Sequence, residues 1–406
     1  MTRHRIADVY KAGVLAARLE RADGGTRFSY VPSYLASRGE PVASTLPLSS
    51  RPVDAPAGAV PPFFTGLLPE GRRLASLRRA VKTSADDELG LLMAAGGDPV
   101  GDVQIVPHGE PLATGAREGE HAVEFDARRP PDFAALVDDP TLVDPKALAG
   151  VQDKVSAGMI SLPAAQAGRR YILKLNAPEF PHVVENEALI YRFAARLRLP
   201  VSGVKLVRDV AGRAGLLVER FDRPARPDGG TARLAVEDGS QLLGLYPADK
   251  YNVSYEELCR AVAAQCSAEL PALRNLAVQG AFAWLVGNGD LHAKNVSVVR
   301  GLTSPGEWAV APVYDIPSTV PYGDKSLALQ LGGKRTGISR RHFLGWAAEL
   351  GLPERAAAGV VDLALRAAGP LVAALETDDG GASPFPPSQT RAWVKELKHR
   401  RRLMEG

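Results

Sequence analysis

Cysteine is scarce: the 406 residues hold two, Cys259 and Cys266. Seven positions apart in a helical pattern, they share a face but lie about 10 Å apart along the axis, too far to bridge. Reduced core thiols in a cytosolic protein are therefore expected. Histidine is also sparse, with seven in all, and no Cys or His pair has zinc-ligand spacing. Excess charge of one sign is lacking. A net charge of +3 does not by itself argue for nucleic-acid binding. The late cluster of Lys395, Lys398, Arg400, Arg401 and Arg402 reads as a solvated helix face. No apolar run approaches membrane-spanning length, and Met1 to Arg21 is too charged for a signal-peptide core. A cytoplasmic chain without membrane contact is expected.

What is present centres on Gly287-Asn288-Gly289-Asp290-Leu291-His292-Ala293-Lys294-Asn295. An apolar helical run, Gln279 to Val286, leads into it, and a short strand, Val296 to Val299, leads out. Taken alone, Gly-Asn-Gly-Asp is a common turn whose Asp serves only the backbone. Here an acid, an imidazole, an ammonium and an amide crowd into six residues. Phosphoryl transfer needs such a set: an Asp to orient the attacking hydroxyl, an oxygen ligand five residues on for Mg²⁺, and a cation for the moving phosphate. Val313-Tyr314-Asp315 then supplies an apolar approach to a second acid, where a kinase keeps its other metal ligand.

The rest of the chain can be placed around that loop. A length of 406 residues suggests two or three domains. Asp8 to Tyr30 alternates, with a turn at Asp23-Gly24-Gly25, and opens a β-containing region. Pro47 to Pro62 reads as loop, Leu67 to Arg79 as a basic amphipathic helix, and Ser84 as the cap of a helix reaching Leu92. Asp102 to Pro107 is a further strand, and a boundary falls within Gly109 to Asp144. Gly150 and Gly158 bracket Gln152, Asp153 and Lys154 in a turn whose amides are able to cradle phosphate. Lys174 sits mid-strand in Tyr171 to Asn176, where an unpaired ammonium would be costly. The helix that follows offers Glu187 or Glu185 as partner. A hairpin, Val204 to Arg208 and Arg213 to Glu219, ends at Glu219-Arg220-Phe221. Ser254 and Glu257 form a capping box for a helix through Gln265. Beyond it, Arg341 to Leu350, Glu354 to Leu371 and Gln389 to Arg402 read as helices.

These motifs in this order resemble the HipA family of bacterial Ser/Thr kinases. The resemblance is carried by Phe63 to Gly71, Ala149 to Lys154, Val218 to Arg223, Asp290 to Asn295 and Tyr314-Asp315, and it runs from about Val9 to the C-terminus. It implies an α+β, two-lobed protein-kinase-like fold with an extra β-containing N-terminal subdomain and an all-α C-terminal lobe. The expected divisions are 1–125 for the N-terminal subdomain, which carries no chemistry, 126–235 for the small lobe and 236–406 for the helical large lobe. It implies ATP and Mg²⁺ as cofactors. Asp290, His292 and Lys294 would be catalytic, and Asn295 and Asp315 would hold the metal. Ala149, Gly150, Val151, Gln152, Asp153, Lys154, Lys174, Glu187, Glu219, Phe221 and His292 would bind nucleotide. The implied acceptor is a protein hydroxyl on an aminoacyl-tRNA synthetase, and the implied partner is a helix-turn-helix HipB-like antitoxin, through which operator DNA is met. A catalytically idle regulatory partner and a small-molecule phosphotransferase are the competing readings. One departure stands out. Relatives carry an autophosphorylated serine three residues before the Gly of the phosphate loop, and here that position is Ala147. The loop is therefore expected to stay unphosphorylated; its nearest downstream hydroxyl is Ser156.

Overall fold

The computed structural model describes residues 5–22, 24–37, 39–56, 58–84, 87–112, 122–126, 128–139, 159–226, 230–377 and 383–406. Alternation near the start of the chain becomes an antiparallel sheet. Its strands are β1 (Ile6–Lys11), β2 (Val14–Ala22), β3 (Gly25–Tyr30), β4 (Val53–Pro56) and β5 (Val103–Pro107), in the order β4-β3-β2-β1-β5. Their inward residues Val9, Leu19, Phe28 and Ile105 form one core with Phe63, Phe64, Leu89 and Leu92. The last four come from α2 (Pro62–Thr65) and α4 (Glu88–Ala95); α1 (Pro32–Ala36) and α3 (Gly71–Val81) complete this region.

Three local expectations fail here. The Pro47 to Pro62 segment contains β4, because Val53 pairs with Phe28 and extends the sheet. The helix placed at Leu67 begins at Gly71, since Pro69 and the left-handed Gly71 (φ 54°) interrupt it. The cap of α4 is Asp87, not Ser84: the Asp87 carboxylate accepts from Gly90 N at 3.2 Å.

The second sheet joins β6 (Val123–Glu124), β7 (Ile160–Gln166), β8 (Arg169–Leu175), β9 (Val204–Arg208) and β10 (Ala214–Glu219) in the order β6-β7-β8-β10-β9. α5 (Phe133–Asp138) contributes Phe133 to the core on one face, with Leu162, Leu173 and Leu217. α6 (Val183–Ala194) is buried with the large core that also takes Leu216 and Val218.

The remainder is mostly helical: α7 (Gly239–Leu242), α8 (Tyr255–Gln265), α9 (Glu269–Val286), α10 (Arg340–Glu349), α11 (Glu354–Glu376) and α12 (Pro387–Glu405). It is not all-α. β11 (Val236–Asp238), β12 (Ser297–Arg300) and β13 (Trp308–Val310) pair into a small antiparallel sheet around Val236, Val299 and Ala311. α9 is buried along most of its length, as an apolar, unstriped helix should be. α11 overturns the expectation about long apolar runs. It continues through Pro370, and by length and composition alone it is apolar enough to cross a membrane, with mean hydropathy 1.6. Its Val360, Val361, Ala364 and Leu371 are packed into the core that α9 shares. The terminal basic cluster is not simply solvated either. Arg400 is buried, lies 4.2 Å from the Trp284 ring and donates to the Trp284 carbonyl at 2.9 Å.

Candidate active site

Lys174 occupies the central strand β8, opposite Ser161 on β7 and Leu216 on β10. Leu173 and Leu175 go into the core on one side of the sheet. Alternation turns Lys174 to the other side, toward α6. There its ammonium donates to Glu187 at 2.8 and 3.0 Å and to Asp315 at 2.7 Å. Both acids are held by further bonds. The Glu187 carboxylate accepts from Ile316 N at 3.4 Å, and Asp315 N donates to the Tyr191 hydroxyl at 3.1 Å. Burial works against the Lys174 charge, but Asp315 and Glu187 outweigh it and hold the ammonium protonated well above its usual range. Burial likewise raises Glu187, whereas Lys174 brings Asp315 below the usual carboxylate range. Asp315 has φ 56°, a left-handed conformation that non-glycine residues adopt at a cost, most readily as Asp or Asn.

The second half of the site is the loop after α9. Gly287 (φ 73°) closes that helix, with Asn288 N donating to Ala283 O at 2.8 Å. A Cβ at Gly287 would lie 2.4 Å from Val320, and one at Gly289 would lie 2.4 Å from Thr319, so both positions must be small. Asp290 N donates to the Asn288 side chain at 2.8 Å. The Asp290 carbonyl accepts from His292 N and from Asn295 Nδ2, each at 2.8 Å. Fixing the Asn295 amide nitrogen this way turns its carbonyl oxygen in the opposite direction. Asp290 is fully buried, and its carboxylate accepts from the Tyr251 hydroxyl at 3.2 Å. Tyr251 also stands edge-on to the His292 ring at 5.1 Å. Burial, reinforced by Lys250, pushes the His292 pKa down to about 3, so this imidazole is neutral at ordinary pH. The Asp315 and Lys250 charges act on it across the site, which places the two halves in one electrostatic neighbourhood. α6 ties them mechanically, since Asn186 exchanges hydrogen bonds with Ser318 at 2.7 and 3.1 Å.

The HipA N-terminal domain model matches residues 7–106, and the HipA-like C-terminal domain model matches 146–370. The chain belongs to the HipA family. The Sinorhizobium fredii protein Y4mE, named as an unproven kinase, is 32% identical over 84% of each chain. The serine/threonine-protein kinase toxin HipA of Shewanella oneidensis is 27% identical over 70% of this chain and 68% of its own. The solved complex of Shewanella oneidensis HipA with HipB and operator DNA aligns at TM-score 0.78 and 21% identity, covering 98% of this chain and 97% of that one. This likeness shows a shared fold, and the family supports a kinase in general terms.

The HipA-family loop spends Lys294 differently from the expected role at the phosphate. Its ammonium pairs with Glu70 at 2.8 Å, donates to Gly66 O at 3.2 Å and lies 3.9 Å from Asp238. The N-terminal subdomain thus packs directly on this loop, through Gly66 and Glu70 of the Phe63 to Gly71 motif. Glu185, the other candidate partner for Lys174, binds Asn176 at 2.8 Å instead. At the strand end, the Glu219 side chain pairs with Arg169 at 3.2 Å and its N–H donates to Gly203 O at 2.7 Å. Phe221 faces the Tyr314 ring at 5.8 Å between centroids. Ala149, Gly150, Val151, Gln152, Asp153 and Lys154 lie outside the described residues, as do Ala147 and Ser156.

Sequence reasoning missed Tyr251, Lys250 and Glu70. The available signal was thin: a Lys-Tyr pair just before the Ser254 capping box, and a Glu at the end of the Phe-Phe motif. Among the described residues no group of three His, Cys, Asp or Glu is poised to hold a metal. Asp315 and Asn295 still suit Mg²⁺, which keeps water and phosphate in its shell and needs only one or two protein oxygens. Among the described residues one ammonium, that of Lys174, pairs directly with the two carboxylates Glu187 and Asp315, and a divalent ion would add the second positive charge.

Proposed function

We propose that the chain is an ATP-dependent serine/threonine protein kinase. The single observation that carries this is the Lys174, Glu187 and Asp315 cluster beside the Asp290 to Asn295 loop, joined where the Tyr314 hydroxyl donates to the Lys294 carbonyl at 2.7 Å. On this reading Lys174 binds the α- and β-phosphates and Glu187 holds Lys174 in place. Asp290 orients the acceptor hydroxyl and takes its proton. Neutral His292 contacts the γ-phosphate without adding charge. Asn295 and Asp315 hold Mg²⁺, which offsets the charge of the phosphates when bound. Phe221 walls the adenine.

The acceptor is a protein hydroxyl, with an aminoacyl-tRNA synthetase as the proposed class, and its modification would slow translation and arrest growth. The known assembly of Shewanella oneidensis HipA with HipB and operator DNA supports a small helix-turn-helix antitoxin as partner, with DNA met through it. The test is transfer of labelled γ-phosphate from Mg²⁺–ATP to a panel of purified synthetases, with protein-free small hydroxyl acceptors alongside. Label on one synthetase serine or threonine is expected. Label on small acceptors alone would assign a small-molecule phosphotransferase. No label, with ATP still bound, would assign a regulatory partner.

A further inference from the structure

Glu70 is the N-cap of α3, yet its side chain makes no capping hydrogen bond. It reaches instead across to the helical region. One carboxylate oxygen accepts from the Lys250 ammonium at 2.7 Å, and the other pairs with Lys294 at 2.8 Å. Lys294 is part of the Asp290 loop, and Lys250 is bonded to it through its backbone. The Lys250 carbonyl accepts from Ala293 N at 3.2 Å, and the Lys250 ammonium lies 5.5 Å from the ring of Tyr251, the residue that bonds Asp290. The Lys294 carbonyl accepts from the Tyr314 hydroxyl at 2.7 Å, one residue before Asp315. Glu70, Gly66 O and Asp238 lie round the Lys294 ammonium. Among the described residues Glu70 is thus the acid shared by both lysines, and through them it is linked to Ala293 N and to the Tyr314 hydroxyl beside the candidate catalytic residues.

Resting on the kinase reading above, we propose that Glu70 is a positioning residue for phosphoryl transfer: from the N-terminal domain it grips Lys250 and Lys294 and so sets Tyr251 and the Asp290 loop. The effect is on geometry more than on stability. The Glu70 side chain keeps 41% of its surface exposed, against 13% and 14% for Lys250 and Lys294, so solvent screens the carboxylate end of each pair. Displacing a catalytic carboxylate by about 1 Å, in contrast, costs on the order of a hundredfold in rate. The N-terminal domain is then part of the catalytic machinery.

The test uses the full chain with Glu70→Gln and Glu70→Asp. Turnover is read as phosphate release from Mg²⁺–ATP, with thermal midpoint and amide exchange at Ala293 to Asn295 measured on the same samples. Glu70→Gln is expected to lower kcat by roughly ten- to a hundredfold and to leave KM for ATP within about twofold. Its thermal midpoint should stay within about 2 °C, and exchange at Ala293 should quicken by about tenfold. Glu70→Asp should recover much of kcat. Unchanged kcat and unchanged exchange would overturn the proposal, and so would a kcat loss that follows the thermal midpoint and is not recovered by Asp. An inert unsubstituted chain whose Ala293 exchange still quickens in Glu70→Gln would retire the kinase reading while leaving the Glu70 grip standing. If exchange does not move either, both fall.

Discussion

Two buried charge clusters in this molecule look alike and are built to opposite ends. In one, Arg220 and Arg223 fork onto Asp222 and Asp98. Arg220 reaches Asp222 at 2.8 and 3.0 Å and Asp98 at 2.9 Å, while Arg223 reaches both acids at 2.8 Å. Their remaining hydrogens go to Pro99 O and Gly101 O, and Gly101 N returns a bond to Asp222 at 3.0 Å. Arg233 adds a third cation at 3.1 Å from Asp98. Burial opposes the Asp222 charge, yet Arg220 and Arg223 bring its pKa down to about 2. Planar forks meet carboxylates, and each acid has more than one cation. In the other cluster, among the described residues, a single ammonium, Lys174, pairs with two carboxylates, and one of these, Asp315, lies in a left-handed backbone conformation. The first cluster staples the loop after α4 to the end of β10. The second is short of positive charge at the place where a ligand would bring it. A surplus of acid over base in a buried, hydrogen-bonded set marks a site, and a satisfied set marks scaffold.

The largest effect should come from neither cluster. Asp290→Asn keeps the shape of the loop, because the Asp290 bonds from His292 and Asn295 use its carbonyl and not its side chain. Phosphoryl transfer should fall by about 10² to 10⁴, with ATP affinity retained. Near-normal transfer to a protein acceptor would assign the role to another residue.

Next is the scaffold cluster. Asp222→Ala strands Arg220 and Arg223, both under 10% exposed, beside one remaining carboxylate. Losing one partner of a buried pair costs about 3–5 kcal/mol. Urea unfolding should show that loss, whereas KM for ATP in the folded protein should not change. A loss under about 1 kcal/mol would mean that this network is not the staple its geometry implies.

Acid should find the site before it finds the scaffold. His292 faces Lys250 and Lys294 on one side and Asp290, Asp315 and Glu70 on the other, and its pKa falls from 6.5 to about 3. The unfolded chain therefore binds a proton first as pH drops below 6.5, and folding stability is lost progressively from there toward pH 3, at up to ~1.4 kcal/mol per unit. Asp238 acts in the opposite sense: burial lifts its pKa to about 6, so its contribution grows as pH falls from 6 toward 3.8. The salt-bridged acids Asp98 and Asp222, whose pKa values are lowered, lose their contribution only below their ordinary value of 3.8. Across pH 7 to 4.5 the urea midpoint of the native chain should drop relative to that of His292→Gln, since Asp238 acts alike in both. Identical slopes would show that His292 is protonated in the folded state.

Patterns local to a few residues were legible in the sequence. The Ser254 and Glu257 capping box is present with both hydrogen bonds, and its helix ends at Gln265 as read. Lys174 mid-strand was legible because a lone charge in an apolar alternation must find a partner. Choosing Glu187 over Glu185 was not, since both sit in the first turns of α6 and only the approach of Asp315 and Ile316 decides between them. Ser84 looked like a cap by spacing, but the side chain that meets the free N–H is that of Asp87. β11 and β13, at three residues each, are too short to show a period, and they exist because β12 lies between them. Glu70 on Lys250 and Asp98 on Arg220 join residues 180 and 122 positions apart, and no periodicity carries that distance.

The smallest effect is the one that separates the clusters best. Asp315→Asn removes one negative charge from a set that has one too many, and Asn tolerates the left-handed backbone at this position. Lys174 keeps Glu187, so no ammonium is stranded. The folded protein without ligand should be unchanged or more stable, by no more than about 1 kcal/mol. That sign is opposite to the one expected for Asp222→Ala, although both substitutions delete a carboxylate paired to a buried cation. Function should move the other way. The neutral amide no longer offers a carboxylate to Mg²⁺, so calorimetric titration should find that Mg²⁺ ceases to strengthen ATP binding. Asp315→Ala, which lacks the short polar side chain that suits a left-handed residue, should show the same loss of metal response with a lower thermal midpoint than Asp315→Asn. If Asp315→Asn instead destabilises the chain as strongly as Asp222→Ala, Asp315 belongs to the scaffold, and the shortage of positive charge beside Lys174 is not the mark of a metal site.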